Sequence, residues 1–392
     1  MHLMLASVSS ATSPSGVCRH AANIARGVLA FSSVQKVTLL VGEWQAAYFR
    51  DAFHLNDARL EILLVAIANH SVSRNLWYVR TLPSLARAHD ADIVHLAYPM
   101  PLIRSAYTAP VVVSLHDLYP YDIPQNFGAH KAWLNRAVLR DCLKNVDAIA
   151  CVSEPTRDRL HELFPALRSG KTSVVPNSIG ISRQQEESAL PEAIRGKVFL
   201  LCVAQHRANK NLALLVRSFR TALDRNVLQS AAKLVIVGNE GPETPRLHKT
   251  VAELDLQDRV VFLRGISDTL LSALYAQCEL VIAPSLLEGF GLPVAEALAA
   301  GCRVACSDIP AFRAVATTHC SLFHPADTTG ELVVTALQNA LRLPRCAEYS
   351  STVFHPQQAA AMYLALYSKL ALRNPIHMFQ TAHADLSAPG DL

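Results

Sequence analysis

Apolar residues along this chain come in short runs separated by stretches of helical spacing. His2–Val8, Lys36–Val41, Glu61–Ile67, Asp92–Leu96, Pro110–Leu115 and Asp147–Val152 have the length and continuity of buried strands. Between them, Val17–Ala30 and residues 74–89, 129–145 and 154–164 place apolar side chains on one helical face. The alternation then starts again. Val198–Ala204, Lys233–Val237, Val260–Leu263, Leu280–Ala283, Arg303–Cys306 and Ser321–Phe323 predict strands, with helices near 209–224, 243–254, 268–277, 292–300, 308–316 and 330–342. A last helix is expected over Pro356–Leu372.

Strands that alternate with helices imply parallel sheets covered on both faces, with ligands at the carboxyl ends of the strands. The chain therefore reads as α/β with two similar units, 1–180 and 181–355. A final helical stretch, 356–374, and a polar tail expected to be flexible, 375–392, follow. Val174-Val175-Pro176-Asn177-Ser178 closes the first unit, and the Gln/Glu-rich Arg183–Ala193 is the expected linker.

Composition narrows the class. At 392 residues each half can bury a core, and 51% hydrophobic against 17% charged residues marks a globular, rather apolar chain. The formal charge of +4 does not indicate nucleic acid but suits an anionic substrate or membrane surface. Met1–Val8 lacks a basic start and reads as a first strand, not a signal peptide, and no apolar run is long enough to span a bilayer. Nine scattered cysteines without C-x-x-C, among them Cys151, Cys202 and Cys306 in apolar runs, point to buried reduced thiols in a cytosolic protein.

The richest chemistry lies in Pro284–Ala297, P-S-L-L-E-G-F-G-L-P-V-A-E-A. It reads as a strand end, a turn opened by Gly289 and Gly291, and a helix with Pro293 in its first turn. A helix start suits a diphosphate. Glu288 and Glu296 would repel one and are better acceptors for ligand hydroxyls, although two solvated glutamates are an equal reading of the spacing. A diphosphate flanked by hydroxyl-rich rings is a nucleotide sugar.

Four other stretches bear on the site. Gln205-His206-Arg207-Ala208-Asn209-Lys210-Asn211 follows a strand and offers two cations for a leaving diphosphate, or a solvated basic loop. His116-Asp117 ends another strand and can orient a hydroxyl or move a proton; a structural histidine bound to a loop carbonyl is the alternative. Ser9–Gly16 has a single glycine and no G-x-G-x-x-G, which counts against a dinucleotide oxidoreductase, though the Gly16 amide could face a phosphate or an acceptor group. Asp90-Ala91-Asp92 precedes a strand at its amino end and reads as a junction, not a metal site.

The pair within E-G-F-G-L-P-V-A-E-A, Glu288 and Glu296, resembles the E-x7-E motif of retaining glycosyltransferases of family 4. A-G-C-R-V-A-C-S-D-I-P (300–310), V-A-Q-H-R-A-N-K-N-L (203–212) and R-V-V-F-L-R-G-I-S (259–267) resemble further segments of that family. V-P-N-S-I (175–179) is similar to its inter-domain segment, with Ser178 where glycine is usual, and the last helix with Tyr363 and Tyr367 resembles its closing segment. The likeness is specific from about 198 to 325 and loose before 110.

The resemblance implies a GT-B fold: two Rossmann-like domains facing across a cleft, the last helix crossing back to the first. It implies that Glu296 binds the ribose hydroxyls and Glu288 those of the transferred sugar. Arg207 and Lys210 would face the diphosphate with the amides of Phe290 and Gly291; Leu292 belongs to the same donor site. Gly265 and Ile266 would lie near the base, Gly238 would support the pocket, and His116 would stand near the anomeric carbon. The resemblance further implies that no metal or other cofactor is needed and that the co-substrate is a nucleotide sugar, GDP-mannose before a UDP-sugar. The acceptor would be a glycan or lipid-linked glycan at the inner face of a membrane. The basic face of 129–144, with Lys131, Arg136, Arg140 and Lys144, could touch anionic lipid or simply be solvated. A non-catalytic nucleotide-sugar binder and an epimerase or phosphorylase on the same fold remain alternatives.

Overall fold

The computed structural model describes residues 1–51, 53, 55–168, 170–179, 190–346 and 354–372. The expected tail, most of the linker and the end of the 356–374 stretch lie outside them. Seven strands form the first sheet: β1 His2–Ala6, β2 Lys36–Gly42, β3 Leu60–Val65, β4 Ile93–Leu96, β5 Val111–Leu115, β6 Ala148–Cys151 and β7 Thr172–Val174. All pair in parallel in the order β3-β2-β1-β4-β5-β6-β7. The second sheet is β8 Phe199–Val203, β9 Lys233–Val237, β10 Val260–Leu263, β11 Leu280–Ala283, β12 Val304–Ser307 and β13 Cys320–Phe323. It too is parallel, in the order β10-β9-β8-β11-β12-β13. Both sheets reverse strand order beside their first strand, which opens a crevice at the carboxyl ends there.

Helices cover both faces. The first unit carries α1 Gly16–Leu29, α2 Ala46–Asp51, α3 Ser71–Leu76, α4 Leu82–Ala88, α5 Tyr119–Asp122, α6 Ala129–Asn145 and α7 Glu154–Leu163. The second carries α8 Leu212–Asp224, α9 Thr244–Glu253, α10 Asp268–Gln277, α11 Leu292–Ala299, α12 Pro310–Val315 and α13 Glu331–Arg342. The central strands are buried on both faces, as parallel strands between helices require, while the edge strands β3, β7, β10 and β13 are only partly buried. The closing helix, α14 Pro356–Ala371, returns to the first unit. Ala360, Tyr363, Leu364 and Tyr367 join the core beneath α1, and Gly27 lets the helices meet, since a Cβ there would stand 2.9 Å from that of Ala360.

Two expectations needed correction, and one strand was not expected. The single helix over 74–89 is broken into α3, a π turn over Trp77–Thr81, and α4. Pro83 in the first turn of α4 has no N–H to give an upstream carbonyl, so the regular ladder stops there. The helix expected from 209 starts at Leu212: Ala208–Lys210 is a 3-10 turn, and Asn211 takes a left-handed φ of 52°. Lys210 therefore projects from a turn. Strand β7 is three residues long and carries no alternation strong enough to announce it. All nine cysteines are free thiols, eight of them buried.

Candidate active site

The two units meet where the carboxyl end of β5 faces the loop after β11. Gly289 sits against the backbone of His116, so closely that a Cβ would fall 1.7 Å from the His116 carbonyl oxygen. Only glycine allows this approach. Thr156, in the first turn of α7, donates to the Gly289 carbonyl at 2.9 Å, and Ser153, which caps that helix, donates to it too. Asn126 donates to Asn209 Oδ1 at 3.2 Å across the same junction.

Around it stands a compact polar cluster. Lys210 Nζ donates to Glu288 Oε1 at 2.6 Å, with side-chain exposures of only 15% and 9%. Ser285 Oγ donates to the same oxygen at 2.8 Å, and Tyr119 OH approaches Oε2 at 3.4 Å from the first unit. Asn209, fully buried, donates to the Leu287 carbonyl at 3.2 Å, while the Leu286 amide donates to the Asn209 carbonyl at 2.7 Å. The 3-10 turn bearing Lys210 is thus stitched to the loop bearing Glu288. Half-buried Arg207 forms no ion pair among the described residues. Asp117 lies against the cluster; burial raises its carboxyl to about 6, and the Tyr119 amide and the charges of Lys210 and Arg207 oppose the rise. His116 donates from Nε2 to the Ala97 carbonyl at 2.9 Å, which leaves Nδ1 as the ring acceptor, and burial lowers its pKa.

A cavity of about 320 Å³ opens beside this cluster, between α1 and the start of α11. Gly16, Leu292 and Glu296 line it, together with Arg19, His20, Asn177 and Asp268. Ser15 caps α1 beneath Gly16. Glu296 Oε2 accepts from Tyr275 OH at 3.0 Å; burial lifts its carboxyl to about 7, against the pull of Arg19 and the tyrosine bond. At the cavity edge Arg19 and Asp268 form a two-pronged pair, 2.6 and 2.7 Å, from one unit to the other.

The predicted residues therefore fall into two adjoining groups. Arg207, Lys210, Glu288 and His116 gather at the junction; Gly16, Leu292 and Glu296 line the cavity. Gly291 has a φ of 97° and begins α11. The Phe290 side chain is core, edge-on to Phe354 at 5.3 Å. Gly238 is packed on the Ala204 carbonyl, 2.0 Å from a hypothetical Cβ, so its role is closing β8 on β9. Gly265 turns with a φ of 60°, and Ile266 rests on the second core. Asp92 accepts from the His2 amide at 2.7 Å at the amino end of the sheet, away from all of these. Asn209 lay inside a stretch already singled out by sequence and Tyr119 two residues beyond another, but Arg19 and Asp268, 249 residues apart, carried no signal.

Two family models match. "Glycosyltransferase Family 4" covers residues 14–183 and "Glycosyl transferases group 1" covers 184–348. The chain is 27% identical over 278 residues to the O-antigen chain mannosyltransferase RfbU of Salmonella typhimurium, spanning 69% of this chain and 71% of that one. It is also 27% identical over 241 residues to the GDP-mannose:cellobiosyl-diphosphopolyprenol alpha-mannosyltransferase of Xanthomonas campestris, at 59% and 60% coverage. The chain thus spans somewhat less than two thirds of that second relative. Among solved structures, WaaG, a glycosyltransferase involved in lipopolysaccharide biosynthesis, superposes with a TM-score of 0.66 at 18% identity, covering 95% of this chain and 98% of its own. The fold is GT-B, and the chain belongs to the family 4 glycosyltransferases, its second half being their group 1 domain.

Proposed function

We propose that the chain is a retaining, metal-independent glycosyltransferase that moves a hexose, with mannose the first candidate, from a nucleoside-diphosphate sugar to a glycan or lipid-linked acceptor of a surface polysaccharide. The observation that carries this reading is the junction: two cations on one turn, Arg207 and Lys210, beside Glu288, with His116 across the gap. The printed activities of the two mannosyltransferase relatives support the choice of sugar and acceptor.

In this mechanism Glu296 takes the ribose hydroxyls in the cavity and Glu288 those of the sugar. Donor binding draws Lys210 from Glu288 toward the diphosphate, where Arg207 supplies the second charge. The acceptor oxygen bonds to the anomeric carbon on the face from which the diphosphate leaves. The bond between that carbon and the phosphate oxygen breaks, and the acceptor proton passes to the departing phosphate. The protein positions the partners and stabilises charge that grows as the bond breaks. His116, neutral and with Nδ1 as acceptor, orients a hydroxyl beside the reacting carbon.

Incubation with GDP-mannose, UDP-glucose and UDP-N-acetylglucosamine, followed by NMR of the product, tests this. One donor giving an α-linked product from an α-linked sugar supports the reading. An inverted product, an epimerised donor, or tight binding of all three without turnover contradicts it.

Among the described residues no helix is long and apolar enough to cross a membrane. We place the enzyme's work on the cytoplasmic side, with α6 as the candidate lipid contact. Trp133 and Leu134 are exposed on it among Lys131, Arg136 and Arg140.

A further inference from the structure

Under the cleft, on the first unit's side, lies a polar network that the transfer mechanism does not yet use. Ser114 lies in β5 and His116 just past its end, and both side chains meet His20 of α1. Ser114 Oγ is wholly buried and shares hydrogen bonds with His20 Nε2 at 2.8 Å, His95 Nε2 at 2.9 Å and Tyr363 OH at 3.2 Å. His95 Nδ1 in turn meets Tyr367 OH at 2.5 Å, and Tyr363 OH lies 3.4 Å from His20 Nε2. Five side chains from α1, β4, β5 and α14 are thereby joined with almost no water contact.

The bonding capacity of a serine hydroxyl, one donor and two acceptor pairs, is filled by its three partners. One ordering lets both tyrosines donate. Tyr367 gives its proton to His95 Nδ1, His95 Nε2–H gives to Ser114, and Ser114 gives to His20 Nε2, while Tyr363 donates to Ser114. Burial keeps both phenols protonated and holds His95 and His20 neutral, His95 near 3. The order of the chain thus starts on α14 and ends at His20. The ring of His20 stands edge to face with that of His116, centroids 4.6 Å apart, and His20 also lines the cavity beside Asn177. Asn177 belongs to the segment that leaves the first unit, and α14 is the segment that returns to it. The returning crossing thus bonds into the network, and the outgoing one passes the cavity that His20 lines.

We propose that Tyr363 and Tyr367 of the returning helix are positioning residues for the transfer, fixing through Ser114 and His20 the ring of His116 at the junction. The inference rests on His116 acting beside the reacting carbon. Its consequence is that the seating of α14 is felt at the reacting centre although neither tyrosine reaches the cleft.

The test uses the full chain and release of nucleoside diphosphate from GDP-mannose, UDP-glucose and UDP-N-acetylglucosamine. Tyr363→Phe and Ser114→Ala are measured alone and combined with His116→Ala, with selective 15N-histidine NMR and thermal melting alongside. Tyr363→Phe keeps the ring and removes only the hydroxyl. The expected result is a kcat lowered about tenfold, a donor KM within twofold, a shifted His116 ring resonance, and no further loss when Tyr363→Phe is added to His116→Ala. If His116→Ala lowers turnover but Tyr363→Phe and Ser114→Ala do not, or if their losses multiply with that of His116→Ala, the positioning role is overturned and the transferase reading stands. If His116→Ala itself leaves turnover unchanged, or no donor is turned over, the role of His116 fails and this inference fails with it.

Discussion

The two halves share a strand order, yet they dress the carboxyl ends of their sheets in opposite ways. The second half sets charge there: Arg207, Lys210, Glu288 and Glu296, all within the loops, the turn or the short helix α11 that follow β8 and β11. The first half sets a neutral network there, with His20, His95 and Ser114 buried beneath half-buried His116 and packed under α14, and its charges, Arg19 and Asp117, stand at the rim. A leaving diphosphate needs charge close to the bond that breaks. Orientation of an uncharged hydroxyl needs rigid dipoles more than charge. On the proposed mechanism, one scaffold used twice places most of the electrostatic stabilisation in the second half and most of the positioning in the first.

Removing charge from the second half tests this contrast most severely. If Lys210 contacts the diphosphate as proposed, a contact that strengthens as charge develops, Lys210→Ala should lower kcat on the order of 10²-fold or more. Lys210→Arg should recover part of the loss. Steady-state kinetics reads both, and a Lys210→Ala enzyme with unchanged turnover would remove the charge from the account.

Separating the halves is the next largest perturbation. Gly289→Ala puts a methyl into the His116 carbonyl, so the units must part. Turnover should fall about 10²-fold, because a shift near 1 Å is enough to spoil a reacting geometry. Circular dichroism should report both units still folded. Unimpaired activity in this variant would mean that the contact is not part of the working enzyme.

The pH dependence sharpens the comparison. Burial raises Glu296 to about 7, and only its ionised form can accept two hydroxyl hydrogens fully. Donor affinity should therefore weaken as pH falls through about 7, approaching tenfold per unit below it, and Glu296→Gln should flatten the curve in calorimetric titrations. For folding the sign is reversed. The fold favours the protonated carboxyl, so that contribution is present below the ordinary value of 4.5 and is lost as pH rises through about 7.

The smallest effect belongs to the bridge between the units. Arg19 and Asp268 are each substantially solvated, with exposures of 35% and 52%, so the pair is worth little in stability. Arg19→Ala should weaken donor binding a few-fold, more at low salt than high, and the charge-swapped double variant should restore it. Equal affinity in all three proteins would make the bridge incidental.

This contrast also explains what could be read from the chain beforehand. Both parallel sheets were legible because their strands are continuous apolar runs between helical periods. Lys210, Glu288 and Glu296 were legible because each lies within a single loop-and-helix segment whose spacing is local. The meeting of Tyr363 with His20 and Ser114 was not, since they come together only when α14 packs under α1, across 343 residues of chain from His20 to Tyr363. The start of α8 was misplaced because Asn211 adopts a left-handed backbone, which asparagine tolerates but which the helical spacing of the apolar residues does not reveal.

The central claim is that Arg207 and Lys210 do the work that a metal does in other nucleotide-sugar enzymes. Its most direct test is nucleoside-diphosphate release from the preferred donor, measured in excess EDTA and again with added Mg²⁺ or Mn²⁺. The account predicts rates equal within about twofold in all three conditions. Activity abolished by EDTA and restored by a divalent cation would contradict it.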